Sequence, residues 1–216
     1  STLLILVLTI WPALASAGEN WPEFRGPAAD GHSDSVGLPL TWSETENVAW
    51  KTPIHDRGWS SPVVWANQAW MTTAAEDGKQ LFAVCLDRQT GKTVHDIELF
   101  GVDEPDKIAK INSYASPTPA IEAGRVYLHY GTYGTACLDT KTGETLWARR
   151  DLECDHHMGP GSSPTLFGDL LIVHVDACDV QYVIALNKTT GKTVWKTDRS
   201  IDYTLVIPFL RKAFCM

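Results

Sequence analysis

Side chains able to bind or transform a ligand gather in three short stretches of the 216-residue chain: His55-Asp56-Arg57-Gly58-Trp59, Asn112-Ser113-Tyr114 and Asp155-His156-His157-Met158. Arg57 offers a planar fork for a carboxylate or phosphate, Trp59 and Tyr114 offer flat stacking faces, and His156 or His157 suits metal ligation or proton relay. The competing reading is structural, because polar groups in tight connections need hydrogen-bond partners of their own. Cys154 and His156 are two residues apart and would face one side of an extended connection. Such soft ligands suit zinc or copper, but no fourth ligand can be named and no metal site is assigned. The most acidic run, Asp103-Glu104-Asp106, reads as a solvated loop. A hydrolase or lyase centre built on Asp155 with His156 or His157 lacks a nucleophile paired with its base: no Gly-x-Ser-x-Gly is present, and Ser162-Ser163 belongs to a repeated landmark.

The elements that must position these residues show in a phrase written three times: CLDRQTGKTVH (Cys85 to His95), CLDTKTGETLW (Cys137 to Trp147) and ALNKTTGKTVW (Ala185 to Trp195). Its glycines, Gly91, Gly143 and Gly191, fall at intervals of 52 and 48 residues. A second marker keeps step, with Ser61-Pro62, Ser116-Pro117 and Ser163-Pro164 at intervals of 55 and 47. Two markers in register indicate a repeat whose units are each too small to bury their own apolar face. Within a unit, short β-branched and aromatic runs follow Ser-Pro (Val63 to Trp65, Thr118 to Ile121, Thr165 to Phe167). Each is followed by a turn and a second run (Ala69 to Thr73, Arg125 to Tyr130, Leu170 to Val175), then a loop and a third run ending at the phrase. The fold class expected is all-β, with each unit a four-stranded antiparallel meander. The phrase is its last turn, where Asp87, Asp139 or Asn187 accepts backbone N–H bonds and Gly supplies the positive φ of a bulged turn. The Trp four residues past that Gly lies on the outermost strand and needs a neighbouring unit to cover it, a burial of about 2–3 kcal/mol if complete.

The pattern Ala/Cys-Leu-Asp/Asn-x-x-Thr-Gly-x-x-x-Trp resembles the tryptophan-docking repeat of the pyrroloquinoline-quinone-type (PQQ-like) β-propeller family, over residues 60 to 197. The opening Trp21-Pro22-Glu23-Phe24-Arg25-Gly26-Pro27 and the run Gly58-Trp59-Ser60-Ser61-Pro62 resemble exported bacterial members. The departures are His95 for the docking Trp in the first unit, Asn187 for Asp in the third, and Cys85 and Cys137 where a small Ala is usual. The resemblance implies a β-propeller of four-stranded blades, about three of them complete. Its docking residues would be Asp87, Gly91, Asp139, Gly143, Trp147, Gly191 and Trp195. An open β-sandwich accounts poorly for turn motifs at fixed period. The lone run Val48 to Pro53, with Trp50, reads as the outer strand of a further blade, and Ile201 to Met216 as the start of another blade or an altered end. The ring is therefore expected to be incomplete and the chain a fragment, since closure takes about 4 to 8 blades.

In the implied propeller the three stretches of the opening paragraph are links between blades on one face. Arg57, Trp59, Asn112, Tyr114, His156 and His157 become candidate ligand-binding residues around a channel mouth. Asp176 and Asp179 would approach on the same face, where a Cys154–Cys178 disulfide is a rival to metal ligation. Cys85 and Cys137, at equivalent third-strand positions of neighbouring blades, read as small buried packing residues.

Composition bounds the partners. The chain is 44% hydrophobic and 20% charged, with a formal net charge of −8 and no run of Lys or Arg, which disfavours nucleic acid and anionic membrane as partners. Residues 1–17 carry no charge and end in Ala15-Ser16-Ala17, the pattern of an export signal, shortened by Pro12 below a bilayer span. The sequence has neither an initiator Met nor a basic n-region, so it reads as starting inside that signal. The organisation expected is signal (1–17), N-terminal extended segment (18–47), blades (48–200) and a final segment (201–216), in a periplasmic or envelope protein with no membrane span after cleavage.

The resemblance implies two function classes. One is a noncatalytic scaffold for binding or assembly in the bacterial envelope, with an envelope protein or peptide as partner and room for a small molecule at the channel mouth. The other is a quinoprotein alcohol or sugar dehydrogenase using PQQ and calcium. No adjacent cysteine pair and no nameable trio of Glu, Asn and Asp calcium ligands appears, so neither cofactor is expected from this sequence. The scaffold is the reading favoured, because fold alone does not bring chemistry.

Overall fold

A computed structural model describes residues 20–199; the expected signal and the final segment lie outside the described residues. Three four-stranded antiparallel sheets follow one another along the chain. Sheet 1 comprises β1 (Val63–Trp65), β2 (Gln68–Ala74), β3 (Gln80–Asp87) and β4 (Thr93–Gly101). Sheet 2 comprises β5 (Ala120–Glu122), β6 (Arg125–His129), β7 (Thr135–Asp139) and β8 (Thr145–Arg149). Sheet 3 comprises β9 (Thr165–Phe167), β10 (Leu170–Asp176), β11 (Gln181–Asn187) and β12 (Thr193–Asp198). Each is a simple meander in sequence order, so its first strand keeps one edge outside its own ladder.

Alternation decides how the sheets stack. In β6 and β7, Val126, Leu128, Ala136 and Leu138 face sheet 1, where they join Val63, Trp70, Leu81, Ala83 and Cys85 in one buried cluster. Tyr127 and Cys137 point the other way and join Leu171, Val173, Ile184 and Leu186 of sheet 3 in a second cluster. Sheet 2 is thus buried on both faces, as period-2 patterning permits when both are covered.

The repeated phrase folds the same way each time. Its glycines take positive φ, at 69°, 76° and 69° for Gly91, Gly143 and Gly191. One ladder irregularity follows at matching places, between Cys85 and Leu86, Cys137 and Leu138, and Ala185 and Leu186. A carboxylate or amide oxygen of Asp87, Asp139 or Asn187 accepts the backbone N–H groups two and three residues on. In sheet 1 this ties Asp87 Oδ1 to Thr90 N at 2.7 Å; the Thr90 hydroxyl first, and the N–H groups of Thr90 and Gln89 with it, hold the Asp87 carboxyl below the usual carboxylate range. The expected strand over Val48 to Pro53 is not part of any sheet. The run lies along sheet 1 with no ladder of its own, and backbone pairing, not side-chain alternation, makes a strand.

Candidate functional site

The links between the sheets are knitted together in series. Arg57 exchanges two backbone bonds with Ala74 (3.1 and 2.8 Å), and its carbonyl also accepts Ser113 Oγ at 3.1 Å. The N–H groups of Trp59 and Ser60 both donate to the Ala115 carbonyl, at 3.0 and 3.2 Å. Asn112 then reaches the third link: its Nδ2 donates to the carbonyls of Met158 (2.8 Å) and Pro160 (3.3 Å), while its Oδ1 accepts Ser113 N and Ser116 Oγ. Tyr114 is 8% exposed and donates its hydroxyl to the Asp106 carbonyl at 2.6 Å. Asn112 is therefore occupied in joining its link to the third, and Tyr114 in bracing its own.

His156 is held the same way. The backbone N–H of Thr132 donates to its Nε2 at 3.1 Å, and Cys154 Sγ lies 3.2 Å from the same nitrogen. Burial lowers the His156 pKa against the opposing pull of Asp155 and Asp179, and burial pushes the Cys154 thiol up to about 12. The pair is a neutral thiol beside a neutral imidazole that acts as acceptor, so it supplies no thiolate. Cys154 is a free thiol, which sets aside its disulfide to Cys178. The acidic residues weighed as further ligands are also engaged: Asp179 Oδ1 accepts the N–H of Asp155 (2.8 Å) and of Val180 (2.9 Å), and Asp176 is paired with Arg199. Among the described residues no group of three His, Cys, Asp or Glu side chains is placed to hold a metal.

His157, with φ 38°, turns the third link and borders an open cleft of about 720 Å³. The cleft is walled by Glu104, Asp106, Glu153, Asp155 and Asp179 against Lys107 and Arg150, a balance that favours a cationic visitor. Arg57 and Trp59 lie outside that cleft. The Arg57 guanidinium sits 5.6 Å from the centre of the Trp59 ring, and Trp59 is 57% exposed. The six candidates thus divide into three that hold links, one that borders a cleft, and an exposed cation–aromatic pair.

The aromatic positions of the repeat make the contacts between sheets. Trp147 of β8 donates its Nε1–H to the Lys188 carbonyl at 2.9 Å and lies over Gly191, where a Cβ would come within 2.7 Å of the ring. Trp50 does the same to sheet 1, with a 2.9 Å bond to the Arg88 carbonyl and its ring over Gly91. Between sheets 1 and 2 the position is His95, beside Gly143. The carbonyl equivalent to those of Arg88 and Lys188 is that of Thr140, and here Gln68 Nε2 supplies the donor at 2.7 Å. Gln68 Oε1 in turn accepts Trp70 Nε1–H at 3.2 Å, and Trp70 stacks on His95 at 5.4 Å. Trp195, expected to be covered, is 40% exposed, with no following sheet among the described residues to take its ring. Sequence reasoning missed Gln68 and Trp70, and also the Lys188–Glu122 ion pair (2.8 Å) that crosses from sheet 3 to sheet 2. The one available signal was His95 itself, since a smaller ring at a position repeated as Trp in the other units requires another group to satisfy the exposed carbonyl.

Residues 41–202 match the family described as outer membrane protein assembly factor BamB. The chain belongs to this PQQ-like β-propeller family. Its three sheets correspond to propeller blades: quinohemoprotein alcohol dehydrogenase from Comamonas testosteroni superposes on 85% of this chain and 28% of its own, at 17% identity and a TM-score of 0.56. BamB from Moraxella catarrhalis aligns with 65% of this chain and 36% of its own, at 20% identity and a TM-score of 0.41. The chain therefore spans only about a quarter to a third of the length of these structures, and at 17% identity the likeness to the alcohol dehydrogenase is one of fold. No match was found among curated proteins.

Proposed function

We propose that this PQQ-like propeller chain is a noncatalytic scaffold that binds a protein partner in the bacterial envelope, reached through an export signal in residues 1–17. The observation that carries this reading is the use made of the link residues. Asn112 spends its amide on joining two links, Tyr114 its hydroxyl on bracing its own link and His156 its Nε2 on the β6–β7 loop, and what the links present outward is the Arg57–Trp59 pair. An exposed Trp under a guanidinium is the sort of anchor that dominates protein interfaces. Neighbouring Ile111, 83% exposed, adjoins Lys110, whose carbonyl accepts Arg57 Nη2 at 3.5 Å, and enlarges the apolar surface. The described residues contain no helix long and apolar enough to cross a membrane.

The test compares the chain with its Trp59→Ala variant in cross-linking to isolated envelope proteins, alongside titration with PQQ and calcium while dye-linked alcohol oxidation is followed. The scaffold reading expects a cross-linked partner that the variant loses, and no turnover. Saturable quinone binding with turnover would overturn it in favour of a quinoprotein dehydrogenase.

A further inference from the structure

The first strand of each sheet, β1, β5 and β9, has one edge outside its own ladder, and one short segment meets all three. Trp21 exchanges two backbone bonds with Val64 of β1, each 2.8 Å, the reciprocal pair of an antiparallel ladder. Asn20 Oδ1 accepts the N–H of Ala66 just beyond β1, at 2.8 Å. The Pro22 carbonyl accepts the N–H of Ile121 in β5 at 2.8 Å, and the Glu23 carboxylate lies beside the N–H of Leu166 in β9, with its Oε2 buried and unpartnered. Three consecutive residues therefore satisfy edge donors on sheets 1 and 2, and the fourth brings its carboxylate to the edge of sheet 3. Pro22 fits between them because only its carbonyl is used there. The segment is pre-shaped by a turn. The Gly26 N–H donates to the Glu23 carbonyl at 2.9 Å, and Gly26, at φ 81°, lies under the Trp21 ring where any Cβ would come within 2.7 Å.

We infer that the inner edges of β1, β5 and β9 together form a binding site for an extended peptide, and that residues 20–23 occupy it as a ligand supplied in cis. The peptide chemistry is written in the occupant: a residue that pairs its backbone with Val64, a carbonyl for Ile121, and an acid two residues past the pairing position, beside the Leu166 N–H. This is strand addition to exposed sheet edges, spread over three short strands instead of one long one. The cis segment holds the site through an effective concentration that a free peptide must exceed, about millimolar for a short flexible tether. The site is independent of the Arg57–Trp59 surface, so it stands whether or not the scaffold reading does.

A labelled peptide of residues 20–27 (NWPEFRGP), titrated by fluorescence anisotropy, tests this directly. The unchanged chain should bind it at least tenfold more weakly than the Trp21→Pro/Glu23→Ala double variant, whose own segment loses the Trp21 N–H bond to Val64 together with the indole and the carboxylate. A peptide with Ala in place of its Glu should lose affinity for that variant. A folded double variant that fails to bind the peptide, or equal binding to both proteins, would overturn the inference. If the double variant does not fold, amide hydrogen exchange on the unchanged chain decides. Val64, Ala66, Ile121 and Leu166 should exchange as slowly as ladder amides of β2 and β10, and exchange at the rate of exposed loop amides would refute the site.

Discussion

An indole has one hydrogen to give, and Trp147 gives it across a sheet boundary to the Lys188 carbonyl while its ring fills the space above Gly191. Trp147→Ala removes both and should destabilise the protein by about 3 kcal/mol, the low end for a Trp→Ala change because the ring is only half-buried, measured by urea unfolding. Where His95 stands, the same carbonyl need is met by Gln68 and Trp70, which leads to a coupled expectation. Gln68→Ala should cost about 1 kcal/mol in the native sequence, and clearly less once His95→Trp offers an indole to Thr140; a double-mutant cycle reads the difference. A third expectation concerns protons. His129 is fully buried against Thr135, and burial, with smaller contributions from the nearby His156 and His174, lowers its pKa to about 3. Below the ordinary value of 6.5 the unfolded chain takes up a proton that the folded chain refuses. Stability should therefore fall as pH drops from 6.5 towards 3, with this one group contributing up to about 1.4 kcal/mol per unit. Measured between pH 6.5 and 5, before most carboxylates titrate, the slope should flatten in His129→Gln.

The turn between third and fourth strands uses one oxygen as a cap for two backbone N–H groups, and Asn187 does with an amide what Asp87 and Asp139 do with carboxylates. Asp139→Asn should leave the melting temperature of the protein nearly unchanged, while Asp139→Ala should lower it, as calorimetry would show. This element was legible in the sequence because everything it needs lies within five residues. So were the short strands Val63–Trp65 and Thr165–Phe167, bounded by Ser-Pro on one side and a turn on the other. What could not be read was partnership at long range. The run Val48 to Pro53 has strand-like residues, yet the ladder that would make it a strand is missing from the described residues. Asn112, Tyr114 and His156 were identifiable as polar residues in links, but whether a polar group faces a ligand or another link is decided by carbonyls and N–H groups 8 to 46 residues away. The Gln68 to Thr140 bond spans 72 residues and leaves no local trace at all.

At the scale of the molecule, sheet 2 is the middle layer of two separate buried clusters, so among the described residues sheets 1 and 3 share no buried cluster and are coupled through sheet 2, the bonded links and the Asn20–Glu23 segment. Repeat proteins of this kind gain stability from neighbour contacts, which predicts that damage at one junction stays local. In Trp147→Ala, amides of β10 and β11 should lose exchange protection well before those of β2 and β3, whereas in the native sequence the two should open together. The ring–glycine contact also gives the sheets two unlike flanks, a plug on the outer strand (His95 or Trp147) and a notch at the hairpin glycine of the next (Gly143 or Gly191). A row of such pieces has a direction. Gene duplication or shuffling of whole units would preserve the match only head to tail and in phase with the Gly turn. The His95 junction, keyed to Gln68 and Trp70, would hold its own unit in place while the Trp147 junction tolerated exchange.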